Sequence, residues 1–163
     1  MKPRSFIAPA SYPARRALEE FLSRNGLSRS EYAAPTYVVD LFGWKVRLPN
    51  PRSRRRMVPL HDLHHIATGY GADLASEAEV GAWELRAGCT TPMLWFVNLS
   101  AALLGLFIAP RRTLRAFAAG RGHVTLYRLQ LGHEEALAWT VGELRRRLGI
   151  PLEGLESAAQ PSE

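Results

Sequence analysis

The sequence predicts a mainly α single domain, a bundle of about six to seven helices with one small N-terminal β-hairpin. Three observations lead there. Apolar residues from Met57 onward recur at helical spacing, glycines divide that stretch into helix-length pieces, and β-formers gather only over 37–48. With 163 residues, 47% hydrophobic and 22% charged, the chain suits one domain with a sizeable core and is not wholesale disordered. The helical domain is expected over 1–155, with 156–163 as a flexible tail.

Residues 13–24 read as a first helix with Leu18, Phe21 and Leu22 on one face, stopped by Asn25-Gly26. Ser28 and Glu31 stand at capping-box spacing and open a short second turn. Tyr37, Val38 and Val39, then Trp44, Val46 and Leu48, flank Phe42-Gly43 in a hairpin pattern that Pro49-Asn50-Pro51 ends. Arg52, Arg54, Arg55 and Arg56 sit just ahead of the next helix. Positive charge there opposes the helix dipole by roughly a few tenths of a kcal/mol each. Recruitment of an anion and a solvated linker both account for it. Helices follow at about 59–68, 75–87, 92–108, 111–119 and 123–148. Arg145, Arg146 and Arg147, near the end of the last, suit its dipole.

The single cysteine, Cys89, excludes an intrachain disulfide and a Cys-rich zinc ribbon, and points to a reducing compartment, the cytoplasm. No secretory leader is expected, because Pro3, Pro9 and Pro13 interrupt the first residues. The net charge of +6 rests on arginine. Nucleic acid is an unlikely partner, since no aromatics interleave the arginines and no zinc-finger spacing exists. The stretch 93–109 is nearly all apolar. As a helix it would be ~25 Å long, short of the ~30 Å hydrocarbon core. It is expected as a buried core helix. Trp95 and Phe96 within it, and Arg111 and Arg112 just after it, are candidates for contact with a lipid chain and with phosphate.

His61-Asp62-Leu63-His64-His65 is the most informative stretch. At 100° per residue, His65 and Asp62 fall about 40° and 100° from His61 on one arc, with His64 off its edge and Leu63 and Ala67 opposite. Two imidazoles at i and i+4 can hold one metal ion, and a carboxylate from a following helix can complete the site. Glu77 is placed for that role across a glycine-containing turn, and Glu84, two turns later, shares its face. Glu84 and His64 are candidates to orient the ligands from behind. A merely wet helix face would carry the same residues. The nitrogen and oxygen donors suit zinc, with iron and manganese open. Asp62 stands where a zincin protease carries glutamate, and the upstream histidine of HD phosphohydrolases is missing. His61, His65 and Glu77 are the first choice of ligands, with Asp62 next.

His61-Asp62-x-x-His65, then eleven residues, then Glu77, resembles the HDxxHx11E signature of the Coq4 family of ubiquinone-biosynthesis proteins. The flanks HDLHHIATGY and EAEVGAWEL agree, as do the apolar helix and basic segment behind them, and the resemblance runs from about Phe42 to the last helix. It implies that His61, Asp62, His65 and Glu77 ligate a divalent metal, usually zinc. It also implies a mainly helical protein, often dimeric, peripheral on the membrane (here the inner face of the cell membrane) and working among other quinone-biosynthesis proteins. The ligand would be a prenylated quinone precursor or another isoprenoid lipid, and the implied step replaces the ring C1 carboxyl by hydroxyl. A non-catalytic lipid-binding scaffold is the alternative. The extra imidazole of His64, Ser76 in place of a glycine, and the lack of a mitochondrial presequence depart from the eukaryotic pattern and suggest a bacterial member.

Overall fold

A computed structural model describes residues 7–41 and 43–156. Eight α-helices and one two-stranded antiparallel sheet make up the described residues, the mainly helical class expected. Apart from Glu156, the tail expected over 156–163 lies outside them.

Helix α1 (Ala14–Arg24) buries Ala14, Ala17, Leu18, Phe21 and Leu22 along one face. It ends where the Asn25 amide donates to the Phe21 carbonyl at 2.8 Å and Gly26 takes φ +68°, a left-handed turn that glycine enters without a Cβ clash. A 3-10 turn, Arg29–Ala33, begins at Ser28 and presents Tyr32 inward. Strands β1 (Thr36–Leu41) and β2 (Trp44–Pro49) pair antiparallel, with Val38 opposite Arg47 and Leu41 opposite Trp44. Their turn uses Gly43 at φ +89°. The ribbon is anchored at its base, where Asn50 donates to the carbonyls of Pro35 and Ala34, each at 2.8 Å.

Helix α2 runs from Arg52 to Thr68, two turns earlier than expected. The expected start was about Pro59. Here it lies inside the helix, where it removes the hydrogen bond to Arg55 but leaves the path intact. The arginine cluster is therefore the opening of α2 and not a linker. α2 has no wet face over its second half: Leu63, His64, His65, Ile66, Ala67 and Thr68 are all buried.

Helices α3 (Leu74–Ala87), α4 (Pro92–Ile108) and α5 (Pro110–Ala119) pack together through small residues. α4 approaches α3 at Gly81 and both α3 and α5 at Gly105, where an added methyl would overlap Ala78 and Thr113. This stripe explains the largest departure from expectation. α4 was expected in the core, yet it buries only Leu94, Asn98, Ala102 and Gly105 and turns Trp95, Phe96, Val97, Leu99, Leu103 and Phe107 to the outside. A helix apolar all round offers no polarity to choose its inner face, and the small residues chose it by permitting close contact. No helix among the described residues is long and apolar enough to cross a membrane.

The single helix expected over 123–148 is three: α6 (Leu126–Leu129), α7 (His133–Ala136) and α8 (Val141–Leu148). Gln130 turns left-handed at φ +54° after α6, and Thr140 with Glu143 forms a reciprocal capping box that restarts the chain at α8. The core gathers Leu18, Phe21, Leu63, Ile66, Val80, Trp83, Leu126, Leu144 and Leu148 from five of these helices. Arg145 is buried with them and not at a solvated helix end. Its guanidinium donates to the carbonyls of Ala8, Ile66, Ala67 and Leu152.

Candidate metal centre

α2 presents His61 and His65 one turn apart, and α3 presents Glu77 and Glu84 two turns apart, so four side chains meet across the helix pair. The asparagine-like cap that starts α3 is Asp73, whose Oδ1 accepts the amides of Ala75 and Ser76 at 3.0 and 3.1 Å, fixing the first turn that carries Glu77. His61 Nε2 lies 3.1 Å from His65 Nε2 and 3.2 Å from Glu77 Oε2, and His65 Nε2 lies 3.4 Å from Glu77 Oε1. The donor atoms of His61, His65 and Glu77 all lie within 4.8 Å of one another.

The outer ring nitrogens decide the protonation of the inner ones. His65 Nδ1 faces the Tyr70 carbonyl at 3.2 Å, which can only accept, so Nδ1 carries a proton, and a neutral ring leaves Nε2 with a lone pair. His61 Nδ1 donates to Glu84 Oε1 at 2.9 Å, which leaves its Nε2 in the same state when the ring is neutral. With both rings neutral, two lone pairs would face each other beside a carboxylate, an arrangement that a cation between them would relieve. Tetrahedral zinc with bonds of about 2.0–2.1 Å would place neighbouring donors ~3.3 Å apart, close to the separations present. The residues therefore fit a divalent ion, which two imidazoles and one carboxylate would hold.

Glu84 is the fully buried hub behind this group. Its Oε1 accepts His61 Nδ1 at 2.9 Å, His64 Nδ1 at 2.6 Å and the Tyr127 hydroxyl at 3.1 Å, and its Oε2 accepts the Asn98 amide at 2.6 Å. Burial favours a neutral carboxyl, but the field of His61 and the bonds from His61 and His64 outweigh it and hold Glu84 well below the usual carboxylate range. Glu77 is lowered in the same way, against burial, by His65 and His61. For His61 burial acts downward, and Glu84 and Glu77 together raise it well above the ordinary histidine range. His64 is the reverse. The Leu126 amide donates to its Nε2 at 3.0 Å, its Nδ1 proton goes to Glu84, and burial pushes it down, so it stays neutral.

Asp62 turns away from this group. Its Oδ2 accepts the Tyr32 hydroxyl at 2.6 Å, and it is not among the converging donors, although both lie on the same helix arc. Of the two ligand-orienting candidates, Glu84 bonds His61 directly, whereas His64 reaches the group only through Glu84. Trp95 and Phe96 are exposed on α4. Arg111 is exposed at the start of α5, whereas Arg112 is engaged: its Nε and Nη2 clamp both Glu79 oxygens at 3.0 and 2.6 Å, and Nη2 also donates to Ser76.

Sequence reasoning missed Tyr32, Tyr127 and Asn98. For Asn98 a signal existed, an isolated amide inside an otherwise apolar helix that needs a polar partner if buried. The two tyrosines lie 30 and 43 residues from their carboxylate partners, and no local pattern announces them. Comparison with protein-family models, curated proteins and solved structures found no match for the chain.

Proposed function

We propose that this protein is a metal-dependent, Coq4-like component of ubiquinone biosynthesis that acts on a prenylated aromatic precursor, with His61, His65 and Glu77 holding a divalent ion, zinc before iron or manganese. The observation that carries the metal reading is the pair of Nε2 atoms 3.1 Å apart with both Nδ1 protons already committed. The HDxxHx11E resemblance supports the substrate class. A divalent ion in this position supplies Lewis acidity toward a carboxylate or phenolate oxygen. Glu84 holds the His61 ring in the ligating tautomer, the Tyr70 carbonyl does the same for His65, and Phe21, stacked on His65 with centroids 5.2 Å apart, shields that ring from water. The step that the resemblance implies is oxidative: the ring C1 carboxyl leaves as CO2 and a hydroxyl takes its place, with dioxygen as the two-electron oxidant and oxygen source.

Protein purified without a polyhistidine tag is expected to carry about one metal ion per chain by elemental mass spectrometry. His65→Ala and Glu77→Gln are expected to lose it, each weakening affinity beyond the ~10–100-fold typical of groups outside the ligand set. An ion-free wild type, or unchanged content in His65→Ala, would remove the basis of the proposal. The raised His61 sets a pH dependence. A proton competes with the ion wherever the pH lies below that raised value, so affinity falls as pH falls and binding releases protons. Calorimetry in buffers of different ionisation enthalpy reads this directly; no proton release at pH 6 would contradict it.

The exposed apolar face of α4 favours a second reading, a non-catalytic lipid-binding scaffold at the inner face of the membrane, homodimeric or assembled with other quinone-biosynthesis proteins. Complementation of a quinone-deficient strain separates the two: the enzyme needs His61, the scaffold does not. Full activity in His61→Ala selects the scaffold.

A further inference from the structure

The arginines that open α2 are not explained by the metal centre. Arg54 is occupied: its guanidinium lies 3.4 Å over the Tyr37 ring and donates to Asn50 Oδ1 at 3.2 Å. The other three line one open groove of about 410 Å³ together with Tyr32 and Ala33. Among the described residues no carboxylate pairs with Arg52, Arg55 or Arg56, whereas Arg15, Arg24, Arg29 and Arg112 each have one. Arg55 Nε is shielded from solvent and has no hydrogen-bond partner, an unmet donor of the kind folded proteins avoid. The first turn of this 17-residue helix also lacks both an acidic residue and a side-chain cap, so its free amides and three like charges reinforce one another.

We infer that this groove is a binding site for a phosphate-bearing anion, a phosphomonoester or diphosphate group. Three unpaired guanidiniums call for more than one negative charge, which a single carboxylate does not carry. Planar guanidinium forks also match phosphate oxygens two at a time. A nucleic-acid backbone would require a longer basic track than the three arginines of this groove. The site stands whether or not a metal is bound. Arg55 and Asp62 are two helical turns apart on one face, ~10 Å along the axis. Tyr32 spans that interval, lining the groove while its hydroxyl donates to Asp62.

The test is calorimetric titration of the full chain with inorganic pyrophosphate in low-chloride buffer, alongside flotation with phosphatidylcholine vesicles with and without phosphatidic acid. Saturable one-to-one pyrophosphate binding is expected, weakened at least about tenfold in Arg55→Gln and in Arg52→Gln/Arg56→Gln, and unchanged in Arg121→Gln, an exposed arginine with no assigned role. Arg52 and Arg56 are exposed, so the double variant is expected to fold even if Arg55→Gln does not. Vesicle binding that requires phosphatidic acid and the groove arginines, without binding of free pyrophosphate, identifies a lipid headgroup as the source of the same chemistry. Four results overturn the inference: no saturable binding to either probe; binding unaffected by both groove variants; binding lost in Glu77→Gln but kept in the groove variants, which assigns the anion to the metal centre; and displacement of pyrophosphate by single-stranded oligonucleotide as readily as by phosphate. Loss of metal content with retained, arginine-dependent pyrophosphate binding leaves the groove standing while the metal reading fails.

Discussion

Glu84→Ala is expected to lower the unfolding free energy by about 3–5 kcal/mol, because it strips the shared acceptor from a fully buried cluster. His64 Nδ1, the Tyr127 hydroxyl and the Asn98 amide would each be left as a buried donor, and such groups cost about 1–3 kcal/mol apiece when water cannot reach them. Denaturant titration reads this loss. Glu84→Gln separates fold from function. It keeps the volume and an acceptor oxygen, and the Asn98 amide can rotate to meet the new NH2, so folding is expected to survive. The charge that draws the proton of His61 Nδ1 is gone, and metal affinity is expected to fall about 10–100-fold, the usual effect of removing a carboxylate behind a ligating imidazole. A competition titration with a chromophoric chelator measures it. Wild-type affinity in a folded Glu84→Gln would show that Glu84 serves the core alone.

The second large effect is expected at Arg145. Its guanidinium is fully buried, yet no carboxylate accompanies it; the charge is met by carbonyl oxygens of Ala67 at 2.9 Å, Ala8 at 3.0 Å and Ile66 at 3.4 Å, with Leu152 as a fourth. Two of these acceptors belong to the last turn of α2, whose carbonyls would otherwise lack donors. The residue ties the N-terminal segment, α2 and the C-terminal segment to α8 at once. Arg145→Met fills most of the volume but leaves the carbonyls unmet, and a loss of about 3 kcal/mol is expected, a fall in Tm of roughly 6–12 °C for a chain of this size. Arg145→Lys is expected to recover little, since one ammonium cannot reach acceptors that the planar fork spans. Thermal unfolding followed by circular dichroism tests both; a Tm within about 2 °C of wild type for Met would show that water meets those carbonyls instead.

The two residues differ in how far they could be read in advance. Glu84 was visible because it repeats Glu77 after seven residues on one helix face, and a helix converts that interval into proximity. Arg145 was not. It sits in a run of three arginines at a helix end, a pattern that the dipole explains equally well for Arg146 and Arg147, and only its contacts with segments 78 and 137 residues away distinguish it. Asp62 shows the same limit within one turn. Its sequence position is as favourable as that of His65, and the tyrosine that claims it comes from a 3-10 turn 30 residues upstream.

The chain's own order of residues determined the helical class, the hairpin between prolines, and the set His61, His65, Glu77 and Glu84, because each depends on spacing along one or two helices and helical rise and twist are the same everywhere. Tertiary structure alone decided which face of α4 is inward, where the last helical stretch breaks, which distant tyrosine claims Asp62, and which arginine is buried. Those outcomes depend on close approach at glycines and on which distant donor reaches a buried acceptor first, and no local pattern encodes either.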